Sequence, residues 1–332
     1  MATYKGIQGY SVQTLASDPS PAASVEGQLW FNSTSSTYKI AIAGAGAWAS
    51  GTVINTGRGL MCCTGTVTAA IIAGGEPNTV NCETYNGSTW TEVSNLNTGV
   101  ANNVGFGTST AAVNCAGILA PGTNTDITEI WDNTSWTTSP ATLNTARAKM
   151  SAANQGTTTA GLTFAGSNPP GSSNNTDLTE SWDGSTWTET ADLSTARRGG
   201  AGAGTQTAAL LATGFCDTPS PNTFVAVTEQ WDGTSWSNVN DVNTARQTAG
   251  SAGTVTTALI YGGNPGQQAV TEKWDGSSWT EVGDLATGRE GLGKGTGASG
   301  TSALAVGKDG SPNTLTEVWD GAPVTAKTVT VS

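Results

Sequence analysis

The sequence contains no histidine and few charged residues. Of 332 residues, only 11% are charged. Without histidine, a Ser-His-Asp or Cys-His nucleophilic site cannot form, and most transition-metal sites lose their preferred ligand. A glycosidase needs two carboxylates at a set separation, and the arrayed carboxylates of this chain belong to the repeat described below. We therefore expect no enzymatic activity, no cofactor and no metal site.

Long apolar runs are also missing. The longest, such as Ala208 to Ala212, have the length of a strand and are too short to cross a bilayer. No stretch has sustained apolar spacing of 3.6 residues, which predicts that helices are nearly absent. The opening residues Met-Ala-Thr-Tyr-Lys lack the apolar core of a secretory signal. We expect a protein made in cytoplasm and not inserted in a membrane.

Cysteine and basic residues are scarce. The five cysteines form no Cys-x-x-Cys pair and match no disulfide framework, which favours reduced, buried thiols; they are Cys62, Cys63, Cys82, Cys115 and Cys216. Thirteen basic residues against 25 acidic ones give a net charge of −12. Nucleic-acid binding needs a basic face that neutralises phosphates, so that class of partner is disfavoured.

Tryptophan, in contrast, is abundant and regularly placed. Ten of the 12 tryptophans lie in a six-residue cassette of the form Trp-Asp-(Gly/Asn)-two small polar residues-Trp, or in variants of it. Its copies are Tyr85–Trp90, Trp131–Trp136, Trp182–Trp187, Trp231–Trp236, Trp274–Trp279 and Trp319–Val324, at intervals of 43 to 51 residues. A period of this length predicts a β-propeller or a similar array.

Residues 197–239 represent one repeat unit, with four predicted strands named a to d from the axis outward. Strand a consists of small residues, as it also does at Val104–Gly107, Ala249–Gly253 and Gly291–Gly295. Small residues let adjacent blades approach near the axis, and tryptophans fill the wider gap outside. Asp-Gly between strands c and d predicts a type I′ hairpin turn.

Two charged positions recur with the cassette. A glutamate precedes the first anchor by two residues in all copies: Glu83, Glu129, Glu180, Glu229, Glu272 and Glu317. An arginine ends the link into the next unit at Arg58, Arg147, Arg197, Arg246 and Arg289, with Val100 in the remaining copy. The charges either line a binding channel or pair between neighbouring blades. We favour the structural pairing, because repeated positions usually serve the repeat.

The spaced residues resemble the kelch repeat. The resemblance rests on Gly-Gly after an apolar strand (Gly74-Gly75, Gly262-Gly263) and then on the series Trp182, Asp183, Trp187, Leu193 and Arg197. It covers about residues 48 to 324, with tryptophan in place of the usual tyrosine and a degraded Gly-Gly in units 3, 4 and 6. It implies an all-β, kelch-type propeller. Strands a, b and c each occur six times between Gly59 and Asp320, which predicts six blades and an N-terminal extension.

A seventh d-type strand around Trp48 precedes the first unit. It can complete the last blade, where Val324 replaces the second tryptophan. Seven blades remain the alternative, if residues 28–31, 38–43 and Trp48 join the C-terminal strand. With six blades, the predicted domains are residues 1–43, a docking arm with a hairpin, and residues 44–332, the propeller.

The segment Val25 to Ile40 resembles the opening hairpin of tail-fibre and other virion proteins of tailed bacteriophages. The strings Asn-Thr-Ala-Arg and Gly-Thr-Gln-Thr-Ala are similar to products of marine phage genomes. The resemblance implies a non-enzymatic virion structural protein, present in many copies on a tail fibre or the capsid exterior. Residues 1–43 would bind other virion proteins. The propeller would serve host attachment, or decorate the capsid without binding a receptor.

The b–c loops differ most between units. They are short at residues 76–81 and 264–270, and long at 167–178 and 216–227. Variable loops on a rigid scaffold often carry recognition, although surface insertions are also tolerated without function. A carbohydrate-binding module, or recognition of a host glycan or protein, would use residues of the long loops: Asn168, Asn174, Asn175, Asp177, Asp217, Asn222 and Phe224.

Overall fold

The structure is a computed structural model, and it describes residues 12–19, 28–42, 46–168, 175–217, 223–293, 295–297, 299–308, 314–321 and 325–329. These residues contain strands and turns and no helix, and thus no helix that could cross a membrane. The first strands are β1 (Gln13–Leu15), β2 (Leu29–Asn32), β3 (Thr37–Ile42), β4 (Ala47–Ser50), β5 (Cys62–Thr66), β6 (Ala69–Ala73), β7 (Cys82–Tyr85), β8 (Trp90–Val93), β9 (Val104–Gly107), β10 (Ala112–Leu119), β11 (Thr123–Trp131), β12 (Trp136–Thr138), β13 (Ser151–Ala152), β14 (Gly161–Phe164) and β15 (Thr179–Trp182). They are followed by β16 (Trp187–Glu189), β17 (Ala201–Thr205), β18 (Ala208–Ala212), β19 (Phe215–Cys216), β20 (Thr223–Phe224), β21 (Thr228–Trp231), β22 (Trp236–Val239), β23 (Gly250–Thr254), β24 (Thr257–Tyr261), β25 (Thr271–Trp274), β26 (Trp279–Glu281), β27 (Ser302–Val306), β28 (Thr316–Asp320) and β29 (Thr325–Thr328).

The chain divides into two compact units. The larger is Ala47–Asp320, and the smaller combines Met1–Gly46 with Gly321–Ser332. The segment that follows the propeller therefore belongs with the N-terminal residues, whereas the domain boundaries expected from the sequence place it in the propeller. The reason is a backbone pairing: β29 adds to β3, four residues on Thr325–Thr328 opposite Lys39–Ile42.

The larger unit is an all-β propeller, as the repeat predicts. Its described strands form six antiparallel meander sheets, five of four strands and one of three, in addition to the short hairpin β19–β20. The first strands of successive sheets lie side by side, and β27 lies next to β5, so the series closes on itself. At Gly202 a Cβ would come within 2.5 Å of the Ala152 carbonyl oxygen of the preceding sheet. This close approach explains the small residues of strand a.

The last sheet of the propeller is completed from the other end of the chain. β4 pairs with β28, and Trp48 lies directly opposite Trp319. The two rings are 5.4 Å apart, close to the separation within the intact cassettes. Trp48 therefore takes the place of the second tryptophan that the last cassette lacks. The seven-blade alternative grouped Trp48 with the C-terminal strand, and the structure puts them in separate sheets.

Two local predictions differ from the structure, and unit 2 has a feature that the sequence did not indicate. The described residues of Gly291–Gly295 form no regular strand, and Lys294 lies outside the described part. The loop predicted after Gly214 contains the hairpin β19–β20. In unit 2 the b–c connection is a long hairpin, because β10 and β11 continue to Leu119 and Thr123.

The smaller unit contains the predicted hairpin, β2 and β3, in a four-stranded sheet of order β1-β2-β3-β29. On one face, Trp30 and Ala41 are buried with Leu15 and Ala326 packed against them. Asp18 accepts hydrogen bonds from Trp30 Nε1 at 3.1 Å and Asn32 Nδ2 at 2.8 Å.

Candidate functional site

The d–a links and b–c loops of the propeller lie side by side on one face. Single antiparallel bridges join them in five units: Gly59 with Glu76, Ala101 with Ile118, Ala148 with Ser167, Arg198 with Phe215, and Gln247 with Asn264. This face, hereafter the loop face, carries those residues predicted to recognise a ligand that the structure describes.

Six residues form a closed circle of backbone hydrogen bonds at the centre of the loop face. Each N–H donates to the carbonyl of the equivalent residue in the preceding unit, with N–O distances of 2.7 to 3.1 Å. The circle runs through Leu60, Asn102, Lys149, Gly199, Thr248 and Gly291, and all six have positive φ, between 52° and 67°. We call it the axial ring. Its signal was present in the sequence, because each member stands two positions after the repeated arginine or Val100 and three of them are Gly or Asn.

Asn154 and Gln155 of unit 3 reach across the described part of the channel inside the propeller. Gln155 Nε2 donates to the Gly297 carbonyl at 2.9 Å, and Thr64 Oγ1 to the Asn154 carbonyl at 3.3 Å, so this segment of unit 3 reaches units 1 and 6. The cavity lined by Val104, Asn154 and Gly202 measures about 10 Å³. That volume suits at most one water molecule.

The repeated glutamates and arginines are buried pairs. Distances are 2.7 Å for Arg58–Glu83, 2.7 Å for Arg147–Glu180, 2.5 Å for Arg197–Glu229, 2.9 Å for Arg246–Glu272 and 2.8 Å for Arg289–Glu317. The arginine side chains have no exposed surface, and the glutamate side chains at most 6%. Groups enclosed in this way line no channel. Each arginine lies in the link into a unit and each glutamate on strand c of that same unit. The pairs are therefore structural, as expected, but they tie the link to its own blade and not one blade to its neighbour.

An asparagine completes most of these pairs. In unit 3, Asn144 donates its backbone N–H at 2.7 Å and its Nδ2 at 3.0 Å to Glu180, and Nδ2 also reaches the Trp187 carbonyl at 3.2 Å. Asn55, Asn97 and Asn243 do the same for Glu83, Glu129 and Glu272. The Asn-Thr-x-Arg string is thus a loop folded around a carboxylate. Glu129 belongs to the unit that has Val100 at the arginine position, and it keeps the donors from Asn97 and Thr98.

The paired tryptophans stand directly opposite each other across strands c and d. Ring separations are 5.5 Å for Trp131–Trp136, 5.2 Å for Trp182–Trp187, 5.6 Å for Trp231–Trp236 and 5.3 Å for Trp274–Trp279. The first anchor donates to the a–b turn of its own unit, as Trp182 Nε1 does to Thr158 O at 2.9 Å. In two cassettes the second anchor also bonds to the preceding unit: Trp187 Nε1 donates to Thr128 Oγ1 at 2.9 Å, and Trp236 Nε1 to Thr179 Oγ1 at 3.0 Å. Tryptophan thus joins blades by a polar contact as well as by packing.

The c–d turns are not type I′. Asp183 N bonds to Thr186 O at 3.2 Å, and of the two central residues only Gly184 has positive φ, the sign pattern of type II′. The Asp183 carboxylate accepts the N–H groups of Ser185 and Thr186, both at 2.8 Å. Backbone donation from Thr186 and Ser185 holds the pKa of Asp183 well below its usual value. The aspartate thus stabilises the turn as an acceptor and needs no positive φ itself.

Three of the residues predicted to face a ligand form one cluster with Arg198. Arg198 NH1 donates to Asn175 Oδ1 at 2.9 Å and forms an ion pair with Asp217, and its guanidinium lies 4.8 Å from the Phe215 ring centre. Phe224 packs edge-on against Phe215 at 5.1 Å. Asn175 Nδ2 in turn donates to the Phe215 carbonyl at 2.6 Å, as Asn124 does to Ser167 O in unit 2.

The other predicted residues contribute less. Asn168 and Asp177 are half-buried and lie outside this cluster, and Asn174 and Asn222 lie outside the described residues. The sequence did not indicate Arg198 or Phe215, because both stand at positions that carry no repeated residue type. The half-buried Lys149 of the axial ring was missed too. Its pKa is lowered by burial and by Arg198, while Asp217 and Glu76 oppose the shift.

The cysteine thiols of the described chain are buried. All five cysteines are buried free thiols, and burial raises the pKa of Cys63 and Cys82 to about 12. Within the described ranges no three His, Cys, Asp or Glu side chains are grouped as a metal site would need.

Comparison with known proteins supports the fold. The structure is similar to that of YjhT, a β-propeller, with a TM-score of 0.65 and 11% sequence identity over 80% of this chain and 95% of YjhT. At that identity the likeness shows the fold alone. No protein-family model and no curated protein matches the sequence.

Proposed function

We propose that this protein is a non-enzymatic structural component of a virion, which displays its propeller on a phage tail fibre or on the capsid exterior. The observation that carries the proposal is the smaller unit. The virion-type hairpin β2–β3 lies there, in a compact sheet separate from the propeller. The unit docks on other virion proteins, and the propeller faces the outside for host attachment or decoration.

The chemistry of the propeller supports a role in display. Residues of unit 3 bond across the described part of its axis, and each repeated glutamate already accepts two or more donors, which leaves little capacity for acid–base chemistry. Residues 1–46 and 321–332 hold three lysines and two carboxylates, so the whole net negative charge resides in the propeller. Propellers of neighbouring copies therefore repel each other, which keeps a densely decorated surface dispersed.

One face of the small sheet fits the docking role. Leu29, Phe31, Tyr38 and Ile40 share the face opposite Trp30, and Leu29 and Tyr38 are 40% and 49% exposed. Antiparallel sheets that face water on one side usually carry polar residues there. An exposed apolar face of this kind is typical of a protein–protein contact.

Incorporation into particles tests the proposal. The double variant Leu29→Asp/Tyr38→Asp should fold normally and disappear from purified particles, when the wild type is found there by mass spectrometry. Val53→Asp is the matched control, because Val53 is 48% exposed but lies in the propeller; it should be incorporated normally. Absence of the wild type from purified particles would refute the proposal. Separating tails from capsids tells a fibre from a decoration protein.

The second candidate function is carbohydrate binding at the loop face. The aromatic pair Phe215–Phe224 beside Arg198 and Asn175 favours it, since aromatic rings stack on sugars and polar groups bond their hydroxyls. A glycan array should then show binding that Phe224→Ala reduces and Phe31→Ala leaves unchanged. An array without signal for the wild type would reject this function.

A further inference from the structure

The chain segments near the two ends of the propeller pair with each other in two ladders, β4–β28 and β3–β29, that share one register. Ala47 pairs with Asp320 at the outer end of the β4–β28 ladder. Ile42 pairs with Thr325 at the near end of the β3–β29 ladder. Four residues separate the two ladders on each strand, 43–46 and 321–324. The same two chain segments therefore pair twice with an unchanged register, once in the propeller and once in the smaller unit.

We propose that the β3–β29 ladder is a latch that controls opening of the propeller ring. Among the described strands, β4 is the only one that closes the last sheet from the other side of the sequence, so ring opening begins when β4 leaves β28. With the latch closed, β4 is held at both ends, by residues 51–61 leading to β5 and by the Ile42–Thr325 rung. Separation then creates a short closed loop, and re-pairing occurs at high effective concentration.

With the latch open, β4 is held at one end only. After it separates from β28, β4 can move through a larger volume. Its effective concentration near β28 is then lower, and re-pairing is slower. The same linkage acts in reverse. Anything that binds the smaller unit only with β29 in place also stabilises the propeller, by mass action through the shared strands. Ring stability is therefore adjustable from a unit that lies outside the ring in sequence.

A proline substitution in the full chain tests the latch. Val329 N donates to Tyr38 O at 2.9 Å, and antiparallel alternation places the Lys327 N–H toward β3 and the Thr328 N–H away from it. Lys327→Pro removes a latch hydrogen bond, whereas Thr328→Pro, the control, does not. In hydrogen-exchange mass spectrometry, Lys327→Pro should speed exchange in Ala47–Ser50 and Thr316–Asp320 about tenfold. Sheets β9–β12 and β13–β16 should be unchanged.

Two results would overturn the proposal. One is faster exchange confined to β3 and β29, with β4 and β28 as in the wild type. The other is an equal effect of Thr328→Pro.

A second variant covers the case in which Lys327→Pro fails to fold. Ala41 and Ala326 stand opposite each other at a non-hydrogen-bonded pair, where Cα atoms are about 4.5 Å apart and a disulfide can form. The variant Ala41→Cys/Ala326→Cys should exchange more slowly in β4 and β28 when oxidised than when reduced. The five native thiols are buried and should not compete. Identical exchange in both states would contradict the latch.

Discussion

At the scale of single residues, the axial ring places different residue types in the same left-handed backbone conformation, which some of them adopt more easily than others. Asn102 and Thr248 are equivalent members of the axial ring, with φ of 56° and 53°. Asparagine tolerates the left-handed region, but a β-branched residue there is unusual and strained. The ring holds Thr248 in place through hydrogen bonds on both sides, to Gly199 and from Gly291.

Exchanging these residue types should therefore have opposite effects in the two units. Thr248→Asn should stabilise the protein by about 1 kcal/mol, because the strain is relieved while the ring bonds remain. Asn102→Thr, its reciprocal control, should destabilise by a similar amount. Urea denaturation measures both. A loss of stability in Thr248→Asn would show that the Thr248 hydroxyl, which bonds Gln247 O at 2.8 Å, matters more than the strain.

The buried ion pairs permit a second matched comparison. Glu180→Gln leaves the Arg147 guanidinium buried opposite a neutral group, which should cost about 3–5 kcal/mol of unfolding free energy. Glu129→Gln disturbs the same type of asparagine loop but strands no arginine, and should cost about 1–3 kcal/mol. Equal losses would mean that the arginine adds nothing to the glutamate site.

At the scale of elements, the c–d hairpin joins a blade to its neighbour. Trp187 packs on Trp182 of its own unit and on Phe106 of the preceding one, 6.2 Å away. Its indole N–H also satisfies the Thr128 hydroxyl. The hairpin therefore stabilises the contact between blades as much as its own blade.

Trp187→Ala should destabilise the protein by about 3–5 kcal/mol, as for buried aromatics in general. Trp187→Phe should lose about 1 kcal/mol for the hydrogen bond while keeping most of the packing. Asp183→Ala should cost less than Trp187→Ala, because it disturbs one exposed turn. Thermal and urea denaturation measure the series, and an unchanged stability of Trp187→Ala would contradict the packing role.

The turn aspartates predict a dependence of stability on pH. Hydrogen bonds from Thr234 and Ser235 lower the pKa of Asp232 to about 2, and the pKa values of Asp183 and Asp275 are also low. Because the folded pKa lies below the unfolded value of about 3.9, this stabilisation is complete above pH 4 and is lost as pH falls toward 2. Stability should therefore decline over that window.

A triple Asp→Asn variant at positions 183, 232 and 275 is the control for this decline. Asn86 makes the same acceptor bonds in the first unit, to Ser88 N at 2.9 Å and Thr89 N at 2.8 Å, so the turns should persist. Its decline between pH 4 and pH 2 should be shallower than that of the wild type. Parallel curves would assign acid sensitivity to other carboxylates.

At the scale of the whole molecule, the propeller is closed by two strands that are far apart in sequence, β4 and β28. A chain lacking Met1–Trp48 loses half of β4, including Trp48, and leaves part of the edge of β28 open, so it should be less stable in urea and prone to associate through that edge. A chain lacking Met1–Glu26 keeps all the strands of the propeller and should unfold like the wild type. A harmless longer deletion would show that β4 does not close the ring.

Periodicity in the sequence was enough to predict the propeller and the place of Trp48, because both rest on residue types that recur at fixed spacing. It was insufficient for features that depend on a neighbour's backbone. The type I′ prediction failed because the Thr186 N–H donates to the Asp183 carboxylate, which takes the place of the Asp183 backbone carbonyl as acceptor in the turn. The cluster of Asn175, Asp217 and Arg198 was predicted only in part, since the partner of a loop residue is set by the adjoining unit.

The axial ring has a consequence for the electric field at the centre of the loop face. Its six N–H···O=C bonds follow one another around a circle, so their dipole components in the plane of the ring cancel, unlike the aligned dipoles of a helix. Within that plane the backbone has neither a positive nor a negative pole, and the six N–H groups are all occupied. Among the six side chains of the ring, Lys149 is the only charged one and therefore dominates the attraction of an ion in that plane.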